Sequence, residues 1–114
     1  MIDSIIIREA VAKDKDTLVG YIEAMKGQEE NKIRSFYILS EYQHQGIGTQ
    51  LMEKALEWLG KEKQVSCEVA SYNSNAIIFY KKFGFKENGP TTNQVAELVS
   101  GKEIPEIEMI RPIV

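Results

Sequence analysis

Apolar and polar positions alternate along the first third of the chain. From Ser4 to Ala12, the residues Ile5, Ile7, Glu9 and Val11 fall on one side, and Lys13-Asp14-Lys15-Asp16 breaks the run. That pattern predicts a strand followed by a polar hairpin turn. Thr17 to Met25 is ambiguous, because Leu18, Ile22 and Met25 also suit a helix. The β-branched and aromatic residues between Leu18 and Ile22 favour a strand, and so does Gly20, since glycine weakens a helix interior by about 1 kcal/mol. Lys26 to Asn31 predicts a second polar turn and Lys32 to Leu39 a third strand. Together the three strands predict an antiparallel meander.

After Leu39 the period changes. Leu51, Met52, Ala55, Leu56 and Leu59 recur at spacings of three and four, so Tyr42 to Met52 reads as a tight turn opening an amphipathic helix from Gly48. Gly60 is placed for a left-handed cap, and Trp58 and Leu59 read as core. Gln64 to Ala70 predicts a strand. Asn75 to Phe83 predicts a short helix with Ala76, Phe79, Tyr80 and Phe83 on one face, closed by Gly84. Asn88 to Asn93 reads as irregular and polar, Val95 to Val99 as a short apolar run, and Ile104 to Ile110 as a last strand. Pro105 and Pro112 predict that this strand is an edge, or pairs only in its middle.

The sequence of 114 residues is sized for a single domain, residues 1–114, and 43% apolar with 27% charged residues are ordinary globular values. Neither disorder nor a membrane span is expected, and Met1 to Ile7 has no basic leader of the signal-peptide kind. The one cysteine, Cys67, fits a reducing cytoplasm and reads as a small buried hydrophobe. A net charge of -3 argues against non-specific nucleic-acid binding. The lone His44 and the scattered carboxylates have no metal-ligand spacing.

Gly46 and Gly48 leave the backbone bare at the start of a helix, where several N–H groups can converge on an anion such as a pyrophosphate. Such a turn also exists merely to reverse the chain. No Lys-Ser or Lys-Thr follows the second glycine, and a dinucleotide fingerprint would need a third.

A second stretch, Cys67 to Phe85, sharpens this. Gln-x-x-Gly-x-Gly (Gln43, Gly46, Gly48) followed by Asn-x-x-Ala-x-x-Phe-Tyr-x-x-x-Gly-Phe (Asn73, Ala76, Phe79, Tyr80, Gly84, Phe85) resembles the GNAT superfamily of N-acetyltransferases, from about Ile5 to the C-terminus. The resemblance implies an α/β fold: a mixed, mostly antiparallel sheet with a strand-turn-helix acetyl-CoA site between the third and fourth strands. It also implies a strand and one or two helices before the meander, forming a wall of the acceptor pocket, which this sequence does not show. That wall is then supplied by a partner subunit, missing from this stretch, or dispensable for a large acceptor.

The resemblance places the acetyl-CoA diphosphate on the backbone of His44, Gln45, Gly46, Ile47, Gly48 and Thr49, with Gln43 opening the motif, and the pantetheine arm along Phe36, Tyr37 and Ile38. Asn73 matches an asparagine near that arm, although an Asn here also suits a turn before a helix. Tyr80 matches the tyrosine that protonates the leaving thiolate. Cys-Glu-Val-x-x-x-Asn looks like the ribosomal-protein N-terminal acetyltransferase branch, in which a glutamate at the position of Glu68 takes the amine proton. Strand alternation sets Glu68 opposite Cys67. A solvated strand carboxylate with a water as base is the alternative. The implied reaction is acetyl transfer from acetyl-CoA, without metal, to a primary amine of a small molecule, polyamine, aminoglycoside-like compound or protein. The rivals are a non-catalytic acyl-CoA-binding module and a homodimer whose site forms on assembly.

Overall fold

Gly20 explains why the second predicted segment is a strand and how a helix lies close to it. In a computed structural model, which describes residues 5–14, 17–92 and 105–113, a Cβ at Gly20 would stand 3.0 Å from Ile38 Cδ1, 3.0 Å from Ile47 Cγ2 and 3.2 Å from Leu51 Cδ1. Bare backbone at Gly20 therefore lets the start of a helix settle onto the strand.

The chain groups into two compact units, residues 1–63 and 64–114. In the first, β1 (Ile5–Asp14), β2 (Thr17–Lys26) and β3 (Asn31–Ile38) form the expected antiparallel meander. A 3-10 turn (Ser40–Tyr42) and helix α1 (Ile47–Leu59) follow. Between β2 and β3 the register slips: Glu23 pairs with Ser35 but Ala24 with Ile33, leaving Arg34 as the extra residue of a bulge. The bulge keeps Phe36 opposite Ile22. It also brings Arg34 Nε to 3.4 Å from Glu23 Oε1, while Tyr21 donates to Glu23 Oε2 at 3.0 Å. Both carboxylate oxygens of this buried residue are thus engaged, as burial of a charge requires.

The helix buries Leu51, Met52, Ala55 and Leu59, the stripe its spacing predicts, against a layer that includes Val19, Ile22, Ala24 and Ile33. Trp58 is half-buried rather than core, and its ring lies 4.5 Å from the Lys26 ammonium. Gly60 closes the helix at φ 80° but ψ −169°, an extended region reserved for glycine instead of the left-handed helical cap expected. Asn31, read as part of a polar turn, is buried: its Oδ1 accepts from Gly27 N at 3.3 Å and its Nδ2 donates to Leu59 O at 3.3 Å.

The second unit holds β4 (Val65–Ala70), helix α2 (Ser74–Lys82), β5 (Lys86–Thr92) and β6 (Pro105–Arg111). Here two expectations fail. The polar stretch after Phe85 is not irregular but forms β5, antiparallel to β6, with Asn88 and Gly89 bulged out between the Glu87–Met109 and Pro90–Ile107 pairs. Gly89 takes φ 114° at that bulge. Nor is β6 an edge among these strands, since it pairs with β4 on one side and β5 on the other. Pro105 is tolerated because it is the first residue of the strand, where a missing N–H breaks no ladder, and its carbonyl accepts from Ser71 N at 3.0 Å. The apolar run Val95 to Val99 lies outside the described residues.

Helix α2 ends in a Schellman motif. Phe85 N donates to Tyr80 O at 3.2 Å and Gly84 N to Lys81 O at 3.1 Å, with Gly84 at φ 89°. The accompanying apolar contact is Phe85 on Tyr80, with ring centroids 5.4 Å apart. The core of this unit is Val65, Cys67, Val69, Tyr80, Phe85 and Met109. The fold is mixed α/β, with antiparallel strand pairings within each unit and two α-helices among the described residues.

Candidate functional site

In the first unit the end of β3 and the start of α1 are joined by a turn with unusual backbone. Leu39 N donates to Val19 O at 2.8 Å, so the chain leaves the sheet only after one more bond. Gln43 Nε2 then donates to Ile38 O at 3.3 Å and Gln45 Nε2 to Glu41 O at 3.3 Å, and these bonds fold the turn back on the strand end. Gln43 therefore braces the motif it opens. His44 sits at φ 66° and Gly46 at φ 83°, ψ −1°. A left-handed conformation costs an L-residue about 1–2 kcal/mol, so the turn tolerates it once, at His44, and uses glycine the second time.

Gly46 is the N-cap of α1, and its carbonyl takes the first helical bond, from Gln50 N at 3.0 Å. The amides of Gly46, Ile47, Gly48 and Thr49 precede every intrahelical acceptor. No side chain caps this end, and the first turn of α1 carries no acidic residue. A Cβ at Gly46 would meet nothing within 4 Å. The expected anion-binding residues thus form a turn and a helix N-terminus with no side-chain cap and open space at the Cβ position of Gly46. The backbone of Phe36, Tyr37 and Ile38 lies directly upstream, paired with Ile22, Tyr21 and Gly20.

In the second unit Asn73 is the N-cap of α2. Its Oδ1 accepts from Ala76 N at 3.2 Å, which occupies that oxygen in holding the helix. The turn-forming alternative weighed for this Asn is thus part of its role, and the side-chain amide N–H groups remain on an exposed residue.

Tyr80 is the buried residue of α2, with its ring between Phe79 (centroids 6.0 Å apart) and Phe85. Burial, first of all, pushes its phenol well above the usual range, reinforced by the Cys67 side chain beside it and by the hydrogen bond between them. This contact leaves no signal in the sequence. Cys67 is buried as expected, but it touches Tyr80, and only the packing of α2 against one face of β4 puts the two together.

Glu68 is exposed on the other face of β4, so this strand separates it from Tyr80. It stands directly opposite Glu108 of β6, whose Oε1 accepts from Asn88 Nδ2 at 2.7 Å. Like charges in register destabilise a strand pair. Among the described residues no His, Cys, Asp or Glu cluster could hold a metal, and no helix is long and apolar enough to cross a membrane.

Comparison with known proteins gives this geometry a context. A family model described as an acetyltransferase (GNAT) domain matches residues 7–87. In sequence the chain is similar to an N-alpha-acetyltransferase of Sulfurisphaera tokodaii, 43% identical over 56 residues, 46% of this chain and 34% of that protein. The match therefore spans about a third of that relative's length. In structure it is similar to Ard1 from Thermoplasma volcanium, with TM-score 0.72 and 26% identity over 88% of this chain and 66% of that one. It also shares its fold with the PaiA N-acetyltransferase of Thermoplasma acidophilum, solved in complex with coenzyme A: TM-score 0.71, 24% identity, 97% of this chain and 62% of that one.

Proposed function

The chain belongs to the family of GNAT acetyltransferase domains, and from that premise we propose that it transfers acetyl from acetyl-CoA to a primary amine by direct attack. The observation that carries this reading is the start of α1, where Gly46 is left-handed with open space at its Cβ position and no side chain caps the amides up to Thr49. A dianionic diphosphate suits those donors. Gln43, His44 and Gln45 shape the turn, and the backbone of Phe36, Tyr37 and Ile38 takes the pantetheine arm. In the second unit, the side-chain amide of Asn73 is proposed as a cofactor contact.

Glu68 or a water it holds takes the proton from the ammonium, and Tyr80 serves the leaving sulfur. A phenol raised above its usual range is a weaker acid than a thiol, whose ordinary pKa is about 8.5, so Tyr80 acts on the thiolate first as a hydrogen-bond donor. The likeness to an N-alpha-acetyltransferase makes a peptide α-amine the acceptor to try first; a polyamine or other small amine is the next class.

The experiment is a pair of variants. Tyr80→Phe is expected to lower kcat roughly tenfold or more with KM for acetyl-CoA nearly unchanged. Glu68→Gln is expected to flatten the limb of the pH–rate profile that rises with pH. A Tyr80→Phe protein with undiminished kcat refutes the donor role, and an unaltered profile in Glu68→Gln assigns the base elsewhere.

A further inference from the structure

Resting on the reading that the pantetheine arm lies along Phe36, Tyr37 and Ile38, we infer that Arg34 selects the acceptor: its guanidinium binds a carboxylate carried by the same molecule as the reacting amine, about one side chain away from it. The arm fixes where that molecule enters. With the diphosphate at the start of α1, the arm runs back along β3 from Ile38 to Phe36, so the thioester lies at the Phe36 end. The next residues in that direction are Ser35 and Arg34, and both are exposed. Two residues of strand span roughly 7 Å. That is too far for the α-carboxylate of a free amino acid and within reach of a side-chain carboxylate near the start of a peptide.

The local structure holds Arg34 ready for such a partner. Arg34 is the extra residue of the bulge between the Glu23–Ser35 and Ala24–Ile33 pairs, and a bulge re-aims a side chain. Its Nε lies 3.4 Å from Oε1 of buried Glu23, and the Tyr21 hydroxyl donates to Oε2 of the same carboxylate at 3.0 Å. Glu23 thus tethers one side of the guanidinium to the fold. Yet 46% of the Arg34 side chain is exposed, and among the described residues it makes no second ion pair or hydrogen bond. One carboxylate oxygen does not saturate five donors, and the planar fork suits a second carboxylate with two parallel bonds. Because the tether already orders this side chain, binding costs it little further rotamer freedom. Tyr37, in register with Tyr21 and 48% exposed, stands two residues along β3 from Ser35 and gives the entering chain an aromatic surface.

The test gives the full chain three peptide amides with free N-termini, Ala-Glu-Ala-Ala, Ala-Gln-Ala-Ala and Ala-Lys-Ala-Ala. Calorimetric titration of each into protein saturated with coenzyme A reads acceptor binding without turnover, and thiol release from acetyl-CoA reads kcat and KM. The Glu peptide is expected to bind about tenfold more tightly than the Gln peptide, the low end for a charge-assisted bond because the site is half-exposed. The difference is expected in KM rather than kcat and to narrow at high salt. Arg34→Gln is expected to bring the Glu and Gln peptides to within about twofold of each other, and Arg34→Glu to place the Lys peptide ahead of the Glu peptide. If loss of Arg34 leaves buried Glu23 too poorly compensated for folding, Arg34→Gln combined with Glu23→Gln removes both charges and is expected to show the same loss of preference. A merely structural Arg34 would weaken all three peptides alike in its variants, and that result overturns the inference. So do equal binding of the Glu and Gln peptides by the parent, a preference that survives in the variants, and no binding of any peptide. Discriminating binding without thiol release supports the Arg34 site and removes the transfer reading, whereas thiol release with polyamines alone removes the Arg34 site and leaves transfer standing.

Discussion

Gly46→Ala separates the two things that the turn before α1 does. At φ 83° an alanine carries the left-handed penalty of roughly 1–2 kcal/mol, and because a Cβ there meets nothing within 4 Å, no steric clash adds to it. The expected loss in urea unfolding is therefore about 1–2 kcal/mol. The same open space is where the diphosphate is proposed to lie, so the methyl group displaces it from an amide. Losing one hydrogen bond to a charged group is worth about 1.5–3 kcal/mol, which is roughly a 10- to 100-fold increase in Kd for acetyl-CoA by calorimetry. Gly46→Asn distinguishes the effects, since asparagine tolerates the left-handed region. It is expected to recover most of the stability and none of the affinity. Should affinity follow stability across the two variants, or stay unchanged in both, the anion-site argument is wrong.

Other consequences are equally open to measurement. Tyr80 has a folded pKa raised above the ordinary phenol value near 10, so its contribution is complete below that pH and lost as pH rises further; unfolding free energy is expected to fall above pH ~10 by up to about 1.4 kcal/mol per unit, a slope absent in Tyr80→Phe. Asn73→Ala removes the cap of α2 and is expected to cost about 1 kcal/mol in denaturant unfolding, while Asn73→Ser keeps most of it. Gly20→Ala pushes on Ile38, Ile47 and Leu51 at 3.0–3.2 Å, and a loss of roughly 1–2 kcal/mol is expected after the gain from a stiffer unfolded chain. A Gly20→Ala protein as stable as the parent would mean that α1 is not seated on β2 as described.

Elements with a periodic apolar signal were legible in the sequence. β2, β3, α1, β4 and α2 each bury apolar residues, and a buried face leaves a period of two or between three and four. Lys86 to Thr92 left none, because β5 owes its existence to the ladder of β6 rather than to apolar residues of its own. Pro105 misled for a related reason: a missing donor excludes a residue from the middle of a ladder but not from its first position. Asn31 read as a turn residue because polarity alone does not reveal that its amide is spent on Gly27 and Leu59, the latter 28 residues away. The glycine turn was readable as a helix start, since glycine spacing reports backbone directly. The Cys67 contact with Tyr80 was not, because it joins a strand and a helix whose side chains meet only in the folded unit.

The most direct test of the central claim is one sample followed through two stages: a calorimetric titration with acetyl-CoA, then thiol release on addition of peptides with free N-termini and of polyamines. Saturable binding followed by release with one class of amine is the predicted result. Binding without release from any amine would mark a module that holds acyl-CoA without transferring it, and the absence of binding would contradict the reading of the α1 turn itself.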